Sequence, residues 1–294
     1  MSYFASLENG SRRHFKTMIV SDIHLGTAGA KAREMVRFLR HNTCDTLILN
    51  GDIIDGWELK NYGSWKVQHT RFFKMVIKMM EECHTKVIYL HGNHDDFLDN
   101  ILPMHIGSLS ILMDYIYESN GKRYYVVHGD IFDSVTTNLK WIAKLGSIGY
   151  TFLLWTNKGF NAMRRLFGKQ PYSFSQYIKS KVKSAVSPTS NYEKQLTALA
   201  KLKNCETIIC GHTHKPAMKM IGEIQYMNSG DWVESMTALT EDFEGNWNLV
   251  YYNDLPEAEK SFSITHENKI DEEAEIDKLE SFYLANILKA GFKL

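Results

Sequence analysis

Thr46-Leu47-Ile48-Leu49-Asn50-Gly51-Asp52-Ile53-Ile54-Asp55 is a short apolar run followed by a Gly turn that presents one carboxylate, Asp52, and a second, Asp55, three residues on. The run has the length and composition of a buried strand. An Asp at such a turn is equally well a simple turn former. Repetition of the pattern decides between the two. Met18-Ile19-Val20 leads to Asp22 and His24, and Val87-Ile88-Tyr89-Leu90 leads to Asn93 and His94. Tyr124-Tyr125-Val126-Val127 leads to His128, and Thr207-Ile208-Ile209-Cys210 to His212 and His214. In open α/β sheets, ligands collect beyond the carboxyl ends of the strands, so loops this far apart in sequence can share one crevice. Asp52 is expected at its centre.

The segments between these strands set the fold class. Lys31 to His41 carries Met35, Phe38 and Leu39 at helical spacing, and Phe72 to Met80 reads as the next helix, which gives a βαβ rhythm. After His128 the rhythm breaks. Asn138 to Phe167 and Phe174 to Val186 read as helices of an insertion, a lid at residues 134–192 inside a domain at 16–255. Strand candidates Gln225 to Met227, Met236 to Thr240 and Trp247 to Tyr252 then follow without helices between them, as an antiparallel flank does. The predicted class is layered α/β, with mixed central sheets flanked by helices and a helical insertion. Residues 256–294 read as an acidic linker and one amphipathic helix bearing Ile276, Leu279, Phe282, Tyr283 and Ile287.

Composition excludes several classes. The 34 basic and 34 acidic residues cancel, but they are segregated. From Ser134 to Tyr192 there is no Asp or Glu, while Lys140, Lys144, Lys158, Arg164, Arg165, Lys169, Lys179, Lys181 and Lys183 lie there. Such a segment is either a solvated helical surface or a surface for an anionic partner. Cys44, Cys83, Cys205 and Cys210 form neither a CxxC pair nor zinc-ribbon spacing and read as core thiols in a reducing compartment. The stretch before Lys16 lacks the apolar core of a signal peptide, and Ile142 to Trp155 is interrupted by Lys144 before it could span a bilayer. The expected location is the cytoplasm.

Asp22, His24, Asp52, Asn93, His128, His212 and His214 offer imidazole nitrogen and oxygen donors without thiolate. That set suits manganese, iron, zinc or magnesium, and spacing does not choose among them. Seven ligands are too many for one such ion and right for two that share a carboxylate. Two ions about 3.5 to 4 Å apart activate a water and hold both sides of an in-line displacement, which is chemistry for breaking P–O bonds.

The motifs Asp22-x-His24, Gly51-Asp52-x-x-Asp55, Gly92-Asn93-His94-Asp95, His128 and Gly211-His212-Thr213-His214 stand in the order of the calcineurin-like metallophosphoesterases, which the chain resembles. Each is weak alone; five in order, each after an apolar strand, are specific. The resemblance implies Asp22, His24, Asp52 and His214 around a first ion, and Asp52, Asn93, His128 and His212 around a second, with manganese the expected metal. It also implies that His94 is a catalytic acid or charge stabiliser at the scissile phosphate, oriented by Asp55.

Within that family the chain looks most like the UDP-2,3-diacylglucosamine diphosphatase branch of lipid A synthesis. Ser21-Asp22-Ile23-His24-Leu25-Gly26, Asn50 to Trp57, His128-Gly129-Asp130 and Gly230-Asp231-Trp232-Val233-Glu234 carry the likeness. It departs at His94, where the best-described members of the branch have Arg. The branch implies release of UMP and an acylated sugar phosphate from an amphipathic nucleotide-sugar-lipid, with peripheral contact at the cytoplasmic face of the inner membrane. Trp141, Leu145, Tyr150, Phe152, Leu153, Trp155, Phe160 and Phe167 are then either a groove for acyl chains or the insertion's own small core. Arg164, Arg165, Lys179 and Lys183 are the expected partners of the diphosphate and of anionic lipid. The competing readings are another phosphodiesterase or phosphatase, a non-catalytic interaction module that has lost ligands, and a nuclease. No ligand is missing, and the insertion lacks the polar groove composition of a nucleic-acid track, so no nucleic-acid partner is expected.

Overall fold

A computed structural model describes residues 12–132 and 188–260. Residues 133–187, with Arg164, Arg165, Lys179 and Lys183 among them, and the tail after Lys260 lie outside the described residues. The chain divides into two compact units, Met1–Asp130 with Ala200–Leu294, and Ile131–Leu199. The strands described all belong to the first unit. A helix at Pro188–Leu202 begins in the second and runs on into the first.

Three strands with apolar runs line up in parallel at the centre of a seven-stranded sheet: β1 (Arg13–Val20), β2 (Asn42–Asn50) and β3 (Lys86–Leu90). Between them lie α1 (Ala32–His41), α2 (Gly56–Asn61) and α3 (Val67–Glu82). β4 (Met104–Ile106) and β5 (Leu109–Leu112) complete one side of this sheet; β5 joins β3 in parallel. A second sheet of five strands contains β6 (Asp114–Ser119), β7 (Lys122–Val127), β8 (Thr207–Cys210), β9 (Ala217–Ile221) and β10 (Ile224–Asn228), in the order β6-β7-β8-β10-β9. The chain then returns to the first sheet with β11 (Thr237–Glu241), antiparallel to β1, and β12 (Trp247–Tyr251), antiparallel to β11. Both sheets are mixed; of the helix-free run of strands expected as an antiparallel flank, β11 and β12 form one, whereas β10 joins the second sheet parallel to β8.

Alternation along the strands explains the layers. Side chains two apart share a face of a sheet. Ile19, Ile48 and Ile88 point to one face of the first sheet and pack with Tyr117, Tyr124, Val126, Ile209 and Met227 of the second. Met18, Val20, Leu47, Leu49, Val87 and Tyr89 point the other way, against Met35, Phe38 and Leu39 of α1 and Phe72, Met75, Val76 and Met79 of α3. The strands are therefore apolar on both faces, because one face meets a sheet and the other a helical layer. Each fully buried Leu or Ile contributes about 1.5 to 3 kcal/mol relative to exposure, so this two-sided core holds the strand ends in fixed register.

Register then places the loops. Val20 pairs with Leu49, and Leu49 with Tyr89, so β1, β2 and β3 end together. In the second sheet Val126 pairs with Ile209, which brings the ends of β7 and β8 level. Predicted ligand residues follow each of these five ends.

Candidate metal centre

Backbone hydrogen bonds tie the loops to one another. The Asp22 and His24 amides donate to the carbonyls of Gly51 and Asp52 at 3.0 and 2.9 Å, and the Gly211 amide to that of His128 at 3.0 Å. Side chains from separate strands thereby reach one place. Asp22, His24 and His214 form one cluster and Asp52, His128 and His212 another, the potential ligand atoms of each lying within 4.8 Å of one another. Asp52 belongs to the second, yet its Oδ2 lies 3.8 Å from Nε2 of His24 in the first and 3.2 Å from Nε2 of His128. It is placed between the two groups.

Close approach requires glycine beside the ligands. A Cβ on Gly92 would collide with the amide nitrogen and Oδ1 of Asp52, and one on Gly211 with Oδ2 of Asp22. Gly51 meets both demands: its φ is +76°, and a Cβ there would strike the His128 ring. Five of the predicted ligands are themselves left-handed, with φ of 53° at Asp22, 50° at His24, 54° at Asp52, 61° at His212 and 55° at His214. Such conformations cost about 1 to 3 kcal/mol each and persist where the surroundings impose them, which is common at functional sites.

The donors fit a divalent cation. Atoms that ligate one ion at about 2.0 to 2.2 Å stand about 3 to 4 Å apart. Nε2 of His214 is 3.1 Å from Oδ1 of Asp22 and 3.4 Å from Nε2 of His24. Nδ1 of His128 is 2.9 Å from the Asn50 carbonyl oxygen, and its Nε2 is buried without a hydrogen bond although Asp52 is beside it. A His whose Nδ1–H is held by a backbone carbonyl presents Nε2 as a lone pair, the arrangement of a metal-binding imidazole. Imidazole and carboxylate without thiolate match manganese, iron or zinc.

A calcineurin-like phosphoesterase family model matches residues 15–216. The chain belongs to that family. It is a hydrolase acting on phosphoester or phosphoanhydride bonds. A UDP-2,3-diacylglucosamine hydrolase of Shewanella halifaxensis is 24% identical, the match covering 77% of this chain and 95% of that protein. The Blochmanniella pennsylvanica protein of the same name is 23% identical over 69% of this chain and 81% of its own. Among solved structures, a single mutant of Vps29 from Entamoeba histolytica has a TM-score of 0.40 and 11% identity, covering 80% of this chain and 98% of that one.

The electrostatics of the two clusters favour positive charge. Burial alone would raise the Asp52 carboxyl, but His128, the His94 amide and His24 outweigh it and hold the group well below the usual carboxylate range. Burial opposes a charge at His128, yet Asp52 and Asp22 outweigh it and raise the pKa of the ring, the same pull that would draw a cation to its Nε2. His214 is raised, chiefly by Asp22. Asp55 lies 2.9 Å from Nδ1 of His94 and raises that imidazole more than burial lowers it.

His94 is half-buried and Asn93 exposed in the loop after β3. The predicted Asp22, His24, Asp52, His128, His212 and His214 converge, with Asp55 bridging His24 and His94. The sequence pattern left Asp231 and Asp95 without roles. Asp231 is buried and accepts from the Val233 amide at 2.8 Å and the Ser235 hydroxyl at 2.8 Å, fixing the loop beside His214. Its Gly-Asp-Trp context was the only signal.

Proposed function

We propose that this chain hydrolyses the diphosphate of UDP-2,3-diacylglucosamine to UMP and 2,3-diacylglucosamine 1-phosphate. The reaction class rests on one observation, the placement of Asp52 between two His and Asp clusters. The substrate rests on relatives of that name matched over most of their own length.

Asp22, His24, Asp52 and His214 would hold one divalent ion, and Asp52, Asn93, His128 and His212 a second, with manganese our choice. Bound there, such ions lower the pKa of a water and neutralise charge on non-bridging phosphate oxygens. The chain's own part is positional. His128 is held by the Asn50 carbonyl and His24 by Asp55, 3.1 Å away, so both rings keep Nε2 toward the cluster. The Asp55 carboxylate sits at Nδ1 of His94 and favours its protonated form, which leaves Nε2 to hydrogen-bond the departing oxygen and hand it a proton. In the overall balance, one oxygen of water joins phosphorus as the P–O–P bond breaks.

The composition of residues 134–192 suits such a substrate. The segment is free of acidic residues, so Arg164, Arg165, Lys179 and Lys183 can meet the diphosphate and an anionic membrane face without internal competition. No helix among the described residues is long and apolar enough to cross a membrane. The test is incubation of purified protein and Mn²⁺ with the UDP-linked diacyl sugar. UMP release is expected; turnover of a generic phosphodiester without UMP release would overturn the substrate and keep the reaction class.

A further inference from the structure

Asp95 closes the Gly-Asn-His-Asp motif and has no part in the reaction outlined above, yet it is the most enclosed carboxylate in the loop that carries His94. Its exposure is 0%. Its Oδ2 accepts from the Ile53 amide at 3.2 Å, and its Oδ1 from the Ile54 amide at 3.0 Å and the Tyr89 hydroxyl at 2.8 Å. Ile53 and Ile54 are the two residues between Asp52 and the dipeptide Asp55-Gly56, so one side chain grips the loop that presents both carboxylates. Two further bonds cross between the same loops: the His94 amide to Asp52 Oδ1 at 2.8 Å, and the Gly56 amide to the His94 carbonyl at 2.9 Å. Tyr89 lies in β3, at the centre of the sheet, and anchors the grip to the core.

Three donors from two strand ends thus converge on the two oxygens of one side chain. A buried amide left unsatisfied is costly, so the two loops have one favourable spacing rather than a range. That spacing matters because a shift of about 1 Å in reacting groups can cost about a hundredfold in rate.

We infer that Asp95, held by Tyr89, is a positioning residue for the reaction: it sets the distance of Asp52 and Asp55 from Asn93 and His94. The inference rests on the dinuclear reading of the site. Asn at this position keeps the shape but turns one acceptor into a donor facing a backbone amide. Phe at 89 removes a single hydroxyl.

The experiment compares wild type, Asp95→Asn and Tyr89→Phe as full chains, by Mn²⁺ titration calorimetry, steady-state release of UMP and thermal unfolding. Asp95→Asn is expected to lower kcat about 10- to 100-fold and weaken Mn²⁺ binding about tenfold, with KM nearly unchanged. Tyr89→Phe should lower kcat about fivefold, and the double variant should lose less than the product of the two, because they share one carboxylate. A lower melting temperature with unchanged kcat and Mn²⁺ affinity in both variants overturns the inference and leaves the dinuclear reading intact. Should Asp95→Asn fail to fold, Tyr89→Phe decides by the same readouts. A wild-type chain that takes up no Mn²⁺ overturns the dinuclear reading, and the inference with it.

Discussion

Oδ2 of Asp55 lies 2.9 Å from Nδ1 of His94, and the same oxygen is 3.1 Å from Nδ1 of His24. One carboxylate therefore orients both a proposed metal ligand and the proposed acid. The two roles separate by mutation. His94→Gln should lower kcat about 100-fold or more, the range of a lost general acid, and leave Mn²⁺ stoichiometry unchanged. Asp55→Asn should lower kcat and also weaken Mn²⁺ binding, because His24 loses its partner. Calorimetry beside kinetics distinguishes them; an equal loss of metal in both variants would refute the division.

Asp52 stands 3.2 Å from His128 and 3.8 Å from His24, between the two clusters. Removal of the shared carboxylate should disable both halves together. Asp52→Ala is expected to abolish hydrolysis and Mn²⁺ uptake while circular dichroism shows a folded chain. Chelation of wild type should stop turnover reversibly, with Mn²⁺ restoring it. Unchanged turnover in Asp52→Ala removes the mechanism.

Gly92 leaves no room for a side chain, since a Cβ there would overlap the Asp52 amide nitrogen and Oδ1. Gly92→Ala should push the β3 loop away from Asp52, cost about 1 to 3 kcal/mol of stability and lower kcat at least tenfold. Gly121→Ala is the control: its φ of +75° strains an alanine, but nothing lies within 4 Å of the added Cβ. It should cost about 1 to 2 kcal/mol and leave kcat unchanged. Urea unfolding and kinetics on the two variants check this.

The ligand loops were legible because the signal is local: each is an apolar run followed within four residues by Asp, Asn or His. Which sheet each strand joins was not. The sequences of β7 and β8 read like those of β1 to β3, so the expectation of mixed central sheets around one crevice left open which strand belongs to which sheet; pairing is decided by contacts distant in sequence. The strands β4, β5, β6 and β9 went unseen for a different reason. Met104–Ile106 is three residues long, and Ala217–Ile221 is a half-exposed edge strand whose Met-Lys-Met run carries no β-branched residue before Ile221. Similarly, His24, His128 and His214 announced themselves by type, whereas the left-handed backbone at Asp22 and Asp52 and the grip of Asp95 on the next loop exist only once the loops meet.

His69 gives a pH test of the fold away from the site. It lies in the first turn of α3 with 1% exposure; its Nδ1 accepts the Lys66 amide at 3.3 Å, and its ring meets Trp65 edge-on at 5.2 Å. Protonation would abolish that acceptor and charge a buried ring, so burial first, and the Lys66 charge second, lower its pKa to about 4. In the unfolded chain the value is about 6.5. Between these values the unfolded state binds the extra proton, so stability rises with pH across that window and the contribution is complete above about pH 6.5. The full span corresponds to about 3 kcal/mol. His69→Gln should lower stability near neutrality and flatten the slope by up to one proton between about pH 4.5 and 6.5. Urea unfolding of both proteins across that range measures it, and identical slopes would show that His69 titrates freely in the folded chain.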